Sequence, residues 1–394
     1  MINILLFISL AFLFTFLVGN LIERIKAPWI FAALIFGGLI ALHNPFVEIT
    51  TSRTFEFLAK LGMYFLLFII GFEINLREIR KQGGFLMKAT FFIILSEALV
   101  GTIFIHFVFG YEWLVSLLAA LSFATVGEAI LVPILDSFKI TNTKLGRAII
   151  SIGTLDDIIE IIVLVAVVAL IGSSGASSAN TANFSITQIF ISLFVLFAFT
   201  IGLRKFGERE NKFKFSSIEK LFLFLLFVLF LFLGVGELAD SAPLAAFLAG
   251  IGTKTFVPRK RLALIESEIR TISYGFFAPL FFVWAGTSLN LPYLLASPLL
   301  LVFVIVLVTA VKLGASFLVG RKELGDRGAF LLGIGLSARF STSLVVIKLL
   351  LDAGLIRTDL YSIILASSVV LSFVIPLAFS ALVSKYYANR AVEG

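Results

Sequence analysis

Apolar stretches long enough to cross a lipid bilayer occupy most of this 394-residue chain. Hydrophobic residues make up 60% of it and charged residues only 14%, whereas soluble proteins average about 25% charged residues. A transmembrane helix needs about 20 apolar residues. We therefore predict an all-α polytopic membrane protein with 13 transmembrane helices. These spans are 3–22, 27–43, 54–72, 84–108, 112–136, 144–171, 187–204, 217–234, 237–254, 272–288, 292–320, 325–352 and 357–384.

Lysine and arginine are distributed unevenly between the predicted loops. Of the 31 such residues, 25 lie in one set of alternate loops, at the span ends that border those loops or in the C-terminal tail, and two, Arg53 and Arg357, lie on the opposite side. Cytoplasmic loops carry the excess of positive charge. The pattern predicts an external N-terminus and a cytoplasmic C-terminus in a bacterial cytoplasmic membrane. We therefore interpret the net charge of +7 as the result of positive residues that set the membrane orientation, and not as a sign of nucleic-acid binding.

The composition excludes several kinds of active site. The chain has no cysteine, so it has no thiolate nucleophile and no zinc–thiolate site. Its two histidines, His43 and His106, are far apart and do not suggest a metal cluster. The sequence shows no Gly-rich nucleotide-binding motif and no nucleophile–base arrangement. We therefore expect neither an enzyme nor an ATP-driven pump, and we expect no cofactor.

Two of the predicted spans carry a polar interruption near their centres. Residues 122–133 of the fifth span and 333–343 of the twelfth are rich in small and hydroxyl side chains, and they contain Glu128 and Arg339, respectively. Paired helix breaks at membrane depth indicate a transporter site, although Gly/Ser packing between helices is the alternative for each segment alone. The pair predicts two inverted six-helix repeats whose discontinuous helices cross at mid-membrane. The repeats are 1–171 and 217–394, joined by 172–216.

Two adjacent aspartates, Asp156 and Asp157, lie in the apolar sixth span, and Glu160 follows one helical turn later. A carboxylate at the centre of a membrane helix costs about 2.5–3.5 kcal/mol on insertion scales, so it must face protein, water or an ion. At 1.5 Å per residue, Asp157 lies roughly 15 Å from the cytoplasmic end of its span. The pair therefore indicates an ion or proton pathway.

Other charged residues are predicted at a similar depth. Lys312 in the eleventh span, Glu128 and Arg339 lie roughly 12–18 Å from the cytoplasmic ends of their spans. We expect Lys312 to pair with an aspartate, most directly Asp157. We expect Glu128 and Arg339 to neutralise each other or the ends of the half-helices. The alternatives are a purely stabilising ion pair at Lys312 and purely structural roles for Glu128 and Arg339.

At these residues the chain resembles the monovalent cation/proton antiporter superfamily, and within it the two-aspartate sodium/proton antiporters. The resemblance rests on TLDD at 154–157, on VKLG at 311–314 and on the interrupted fifth and twelfth spans. The GFEINL segment at 71–76 is similar to the turn that follows the third span in this family. Together these segments extend the resemblance over nearly the whole chain.

The resemblance implies an antiporter that exchanges cytoplasmic Na⁺ or Li⁺ for external H⁺, electrogenically and by alternating access. It also implies a homodimer in the lipid bilayer. Each protomer would have dimerisation helices at 1–72 and 217–288 and a moving core at 84–171 and 292–384.

The resemblance further implies roles for individual residues. Asp157 would be the carboxylate that binds Na⁺, and Asp156 would be its partner in the same site. Thr125, in the interruption of the fifth span, would be a lesser ligand. Lys312 would be the ion-pair partner that is released when the cation binds.

Departures from the family pattern leave the transported ion open. Potassium-efflux relatives have Gln-Asp where this chain has Asp156-Asp157, and they carry a nucleotide-binding domain that we do not expect here. Both differences favour sodium. Glu128 and Glu160 are additional to the simplest two-aspartate pattern, and we expect both to take part in ion coupling. A K⁺/H⁺ antiporter, an ion channel and an ion sensor are the alternatives.

Overall fold

The computed structural model describes residues 3–24, 27–73, 84–174, 186–209, 217–238, 241–339 and 342–387, and within them it contains helices and no strand. The helices are α1 (Ile4–Arg24), α2 (Phe31–Leu42), α3 (Val47–Thr50), α4 (Arg53–Glu73), α5 (Gly84–Phe109), α6 (Trp113–Phe123), α7 (Glu128–Ser137), α8 (Lys144–Ser174), α9 (Ile186–Arg209), α10 (Ile218–Glu237), α11 (Ala242–Thr253), α12 (Leu262–Ile272), α13 (Ala278–Thr287), α14 (Leu291–Ala296), α15 (Pro298–Leu336), α16 (Thr342–Asp352) and α17 (Thr358–Tyr387). Two 3₁₀ turns, Lys254–Phe256 and Arg259–Arg261, precede α12, and a π-helical turn, Ser273–Phe277, follows it.

Several of these helices have the length and apolar composition of membrane spans. Among the described residues, α1, α4, α5, α10, α15 and α17 are long and apolar enough to cross a membrane, and α2 and α6 are shorter apolar helices. The predicted class, an all-α polytopic membrane protein, is therefore confirmed. The figure of 13 crossings stays a prediction.

Most helix ends lie within five residues of the predicted span ends, and the larger differences are in the tenth and eleventh spans. In the tenth, placed at 272–288, helical structure already begins at Leu262 and passes through the π-helical turn into α13. The eleventh span was placed at 292–320, but its helix begins at Pro298, because the short α14 occupies the residues before it. The predicted division between the eleventh and twelfth spans is present as a break within α15, because the backbone of Gly325 is not helical, with φ 72° and ψ 172°. Only glycine adopts this left-handed conformation without strain.

The two predicted interruptions are both present as helix breaks. In the fifth span, α6 ends at Phe123 and α7 begins at Glu128. In the twelfth span, α15 ends at Leu336 and α16 begins at Thr342. The small and hydroxyl residues that predicted these breaks favour turns over helix because they lose more entropy or compete for backbone hydrogen bonds.

The chain divides into two compact units. Unit 1 comprises Met1–Leu13, Ala33–Asn75 and Leu164–Thr287. Unit 2 comprises Phe14–Ala32, Leu76–Val163 and Ser288–Gly394.

Close contacts at glycine hold α4 and α11 together within unit 1. A Cβ atom added to Gly71 would lie 2.1 Å from the carbonyl oxygen of Phe247, and one added to Gly250 would lie 2.2 Å from that of Phe68. Small residues at a helix interface let two backbones approach and gain van der Waals contact, which is a main source of helix association in lipid. These two glycines therefore fix the spacing of the two helices.

The GFEINL segment lies only partly within the described residues, since 74–76 fall outside them. Its glutamate, Glu73, is the last residue of α4. Its carboxylate pairs with Arg270 at 2.5 Å, and its carbonyl accepts a hydrogen bond from Lys254 Nζ at 2.9 Å. These contacts give Glu73 a structural role at the end of α4, within unit 1.

Candidate functional site

The candidate site lies in unit 2 and is built around the helix break between α6 and α7. Residues 124–127 are not helical, so their backbone groups are free to bind side chains. The carbonyl oxygens of Ala124 and Thr125 accept hydrogen bonds from Lys312 Nζ at 3.2 and 2.9 Å. The Val126 N–H donates to Asp156 Oδ2 at 2.6 Å. The break therefore presents acceptors to a cation and a donor to a carboxylate.

The two helix breaks are joined directly by their backbones. The Gly127 N–H donates to the carbonyl oxygen of Ala338 at 2.7 Å. Gly127 precedes α7, and Ala338 follows the end of α15. Each break thus satisfies a backbone group of the other, which an unbroken membrane helix would satisfy internally.

Asp156 is the carboxylate that the first break holds in place. Its side chain is 1% exposed, and Oδ2 accepts the Val126 hydrogen bond. Oδ1 has no hydrogen-bond partner among the described residues. Asp156 also interacts electrostatically with Lys312 and with Asp157, which is half-buried. Glu160, one turn later on α8, is buried.

Lys312, on α15, is fully buried and pairs with a carboxylate that the sequence reasoning did not single out. Its Nζ lies 3.0 Å from Oε2 of Glu97, on α5. The prediction that Lys312 pairs with Asp157 is therefore wrong. The physical reason is that Glu97 lies on a helix packed beside α15, and this proximity cannot be read from the spacing of residues within one span.

Arg339 lies three residues after the end of α15 and also pairs with Glu97, through Nη2 and Oε1. Its guanidinium carbon lies 4.0 Å above the centre of the Phe123 ring, an arrangement that attracts a cation electrostatically. Its carbonyl oxygen accepts a hydrogen bond from the Ser372 hydroxyl. The expected partner, Glu128, begins α7, but its side chain lies outside the described part of the structure.

Glu97 is thus the residue that sequence reasoning missed. It lies 13 positions after Gly84, roughly 20 Å along α5. A single carboxylate in the middle of a 26-residue apolar helix is itself a signal of function. The aspartate pair and Lys312 lie in the recognisable motifs TLDD and VKLG. Glu97 lies between Ser96 and Ala98 and belongs to no such motif.

The site contains two buried oxygen atoms, Thr125 Oγ1 and Asp156 Oδ1, that have no hydrogen-bond partner among the described residues. Thr125 is buried, and its hydroxyl has no hydrogen-bond partner among the described residues. Thr125 precedes Val126, whose N–H holds Asp156, so the hydroxyl and the carboxylate lie in the same region of unit 2. Hard cations take oxygen ligands from carboxylates and neutral groups. The arrangement can bind a proton or a hard cation.

Comparisons with known proteins identify the family of the chain and support its fold. The model of the family described as "Sodium/hydrogen exchanger, transmembrane" matches residues 9–385. A probable Na⁺/H⁺ antiporter 3 of Methanocaldococcus jannaschii is 26% identical, with 92% of each chain covered. The K⁺/H⁺ antiporter subunit KhtU of Bacillus subtilis is 24% identical and covers 87% of this chain and 86% of the relative.

A solved structure supports the fold. The structure of the sodium proton antiporter MjNhaP1 from M. jannaschii at pH 8 matches with a TM-score of 0.61 and 16% identity, covering 99% of this chain and 98% of that one. Membership of the monovalent cation/proton antiporter superfamily, predicted from the sequence, is confirmed. Since the family model extends over all but the first eight and last nine residues, the chain belongs to the sodium/hydrogen exchanger family.

Proposed function

We propose that the protein is a secondary active antiporter that exchanges cytoplasmic Na⁺ for external H⁺ at Asp156 and Asp157. The observation that carries this proposal is the environment of Asp156: one carboxylate oxygen is held by a helix break, and the other has no hydrogen-bond partner in the described residues. An ionised carboxylate buried in this way is costly unless it is paired. Oδ1 therefore requires a proton or a cation. The names of the M. jannaschii relative and of the structural neighbour support Na⁺.

Protons and Na⁺ compete for the same carboxylates in this scheme. Asp156 and Asp157 interact with each other and so take up and release protons as a coupled pair. Na⁺ binds between them, with the Thr125 hydroxyl as a further oxygen ligand. Glu160, within one turn of both aspartates, and Glu128, at the start of α7, influence the coupling of the two ions by their charge.

Neutralisation of the aspartate pair controls the conformational change. Moving an ionised carboxylate without a bound ion past lipid or apolar protein has a high free-energy cost. The site therefore moves across the membrane only when Na⁺ or protons occupy it. Two carboxylates release two protons for one Na⁺. Each cycle then carries two positive charges inward and one outward, and exchange is electrogenic.

The proposed moving core and dimerisation helices follow the division of the chain. The core helices, at 84–171 and 292–384, lie mainly in unit 2, and the dimerisation helices, at 1–72 and 217–288, lie mainly in unit 1. A homodimer is the assembly that the resemblance implies. This division supports a core that moves as a body in alternating access.

We also propose 13 transmembrane helices in two inverted repeats, with the N-terminus outside and the C-terminus in the cytoplasm of a bacterium. The hydrogen bond between Gly127 and Ala338 supports the crossing of two discontinuous helices. The distribution of lysine and arginine supports the orientation.

The proposal is tested by proton flux in liposomes that contain the purified protein. A pH gradient is imposed, and Na⁺, Li⁺ or K⁺ is then added separately to the wild type, to Asp157→Asn and to Asp326→Asn. The last variant is the matched control, because Asp326 makes only an exposed ion pair with Arg321 in the described residues. We expect Na⁺ and Li⁺ to collapse the gradient in the wild type and in the control, and not in Asp157→Asn.

Other outcomes distinguish the remaining functions. A response to K⁺ alone would establish the K⁺/H⁺ exchange that the name of the B. subtilis relative suggests. Cation flux without proton movement would indicate a channel, and Na⁺ binding without flux would indicate a sensor. Intact Na⁺-dependent proton flux in Asp157→Asn would contradict the assignment of the aspartate pair.

A further inference from the structure

Arg339 has more hydrogen-bond donors than acceptors around it. A guanidinium carries five N–H donors and keeps its charge in proteins. Nη2 pairs with Oε1 of Glu97, but Nε and Nη1 have no hydrogen-bond partner among the described residues. The side chain is 1% exposed, so it is shielded from bulk solvent. A buried charge with unpaired donors carries a desolvation cost that another interaction has to offset.

The ring of Phe123 provides that interaction. The guanidinium carbon of Arg339 lies 4.0 Å from the ring centre, and Phe123 is itself buried. The face of an aromatic ring carries negative charge density and attracts a cation within about 6 Å, more strongly where water is excluded. Contacts between exposed arginines and rings elsewhere in the described residues are longer, at 5.6–5.8 Å, and involve Phe317, Tyr386 and Tyr111. The contact at Phe123 is therefore both closer and better shielded from water.

This contact lies at one end of the helix break between α6 and α7. Phe123 is the last residue of α6 and directly precedes the break. At the other end of the break, the Gly127 N–H donates to the carbonyl oxygen of Ala338 at 2.7 Å. The carbonyl of Arg339, the residue after Ala338, accepts a hydrogen bond from the Ser372 hydroxyl of α17. Two consecutive residues of the second break, anchored on α17, thus hold the first break at both ends.

We propose that Phe123 is a positioning residue for the Na⁺ site, because its ring fixes Arg339 and thereby holds one end of the first break. The inference rests on the proposed function, in which the Thr125 hydroxyl binds Na⁺ and the Val126 N–H holds Asp156. Thr125 and Val126 lie in the break, between the two contacts that hold it. Ligands bind more tightly when neighbouring residues keep them in the required geometry. A weaker attraction between the ring and Arg339 releases one end of the break and so weakens Na⁺ binding.

Fluorinated phenylalanines at position 123 test this role, because fluorine weakens the attraction of the ring for a cation and changes its shape little. Proteins with one, two or three ring fluorines at Phe123 would be compared with the wild type in liposomes. We expect the apparent KM for Na⁺ to rise with each fluorine, to about fivefold for three. The maximal rate should stay within about twofold, since the occupied site still crosses the membrane. Phe123→Leu removes the ring, and we expect it to raise the KM at least as far.

The matched control is the same series at Phe379, which is fully buried on α17 and has no cation over its ring in the described part of the structure. We expect its KM to stay at the wild-type value for every number of fluorines. A KM that does not change across the series at Phe123, or that rises equally in both series, would overturn the proposal. So would a falling maximal rate with a constant KM, because a merely structural contact changes the amount of active protein and not its affinity for Na⁺.

Thermal unfolding in detergent separates the contact from its role in binding. We expect the unfolding temperature to fall with each fluorine at Phe123 and to fall less at Phe379. A lower unfolding temperature with an unchanged KM would show that the contact stabilises the fold without positioning the site, and would refute the inference. If Phe123→Leu does not fold, the fluorinated proteins decide by the same criteria. An absence of Na⁺-dependent flux in the wild type would refute the proposed function and the inference with it, whereas normal wild-type flux with a constant KM across the series would refute only the role of Phe123.

Discussion

Replacing Thr125 with valine should weaken Na⁺ binding without weakening the fold. The change removes the hydroxyl and keeps the branched shape of the side chain. The Thr125 carbonyl, which accepts a hydrogen bond from Lys312 at 2.9 Å, is unaffected. The hydroxyl itself is buried and has no hydrogen-bond partner among the described residues. The free-energy cost of burying this hydroxyl is therefore not offset by a hydrogen bond or a metal contact until a ligand binds.

The sizes of the two effects follow from that geometry. A buried hydroxyl without a partner costs about 1–3 kcal/mol, so its removal should keep or raise the thermal stability of the Na⁺-free protein. A polar contact to a charged group contributes about 1.5 kcal/mol at the low end of its range. Loss of one such contact corresponds to an increase of roughly tenfold in the apparent KM for Na⁺. Function and stability should thus change in opposite directions.

The assay is Na⁺-dependent proton flux in liposomes together with thermal unfolding in detergent without Na⁺. Thr102→Val is the matched control, because the Thr102 hydroxyl donates to the carbonyl of Ala98 at 2.6 Å within its own helix. The control should keep its KM and lose about 1 kcal/mol of stability. A Thr125→Val protein with a KM within twofold of the wild type, or with a greater loss of stability than the control, would refute the assignment of Thr125 as a ligand.

Two further predictions concern stability. Gly71→Ala should destabilise the protein by about 1–3 kcal/mol or more, because its Cβ would lie 2.1 Å from the Phe247 carbonyl oxygen and the helices would have to separate. The control is Gly234→Ala, whose Cβ would have no atom within 4 Å, and this variant should unfold at the wild-type temperature or slightly above it. Breaking the Arg321–Asp326 ion pair, in which both side chains are 62% exposed, should change stability by less than about 1 kcal/mol, and a loss beyond that in thermal unfolding would show that the pair is more than a surface contact.

The helix breaks could be predicted because their signal is local. A run of small and hydroxyl residues with one charge weakens a helix wherever it lies, so 122–133 and 333–343 were recognisable without any knowledge of their neighbours. The break at Gly325 coincides with the boundary predicted between the eleventh and twelfth spans, and glycine fits the positive φ found there. The later start of the eleventh span was missed because α14 and α15 are both apolar, so hydropathy does not separate them.

The pairing of buried charges could not be predicted from the sequence in the same way. Depth along each span brought Lys312 and Asp157 to a similar level, but depth does not say which helices are adjacent. Glu97 is on α5, 215 positions before Lys312, and only packing brings the two within 3.0 Å. The sequence likewise gave no reason to prefer Asp156 over Asp157, and the difference comes from the Val126 N–H at the break.

The central claim is that Na⁺ and protons compete for the buried aspartate pair, and the apparent KM for Na⁺ as a function of pH tests it most directly. Transport currents would be measured in liposomes at several pH values, with the same pH on both sides and with Asp156→Asn as the inactive reference. Competition predicts that, in the acidic range, KM rises about tenfold per pH unit for each competing proton, while the maximal rate at saturating Na⁺ stays constant. A KM that does not depend on pH, with a maximal rate that falls as protons are added, would contradict the account.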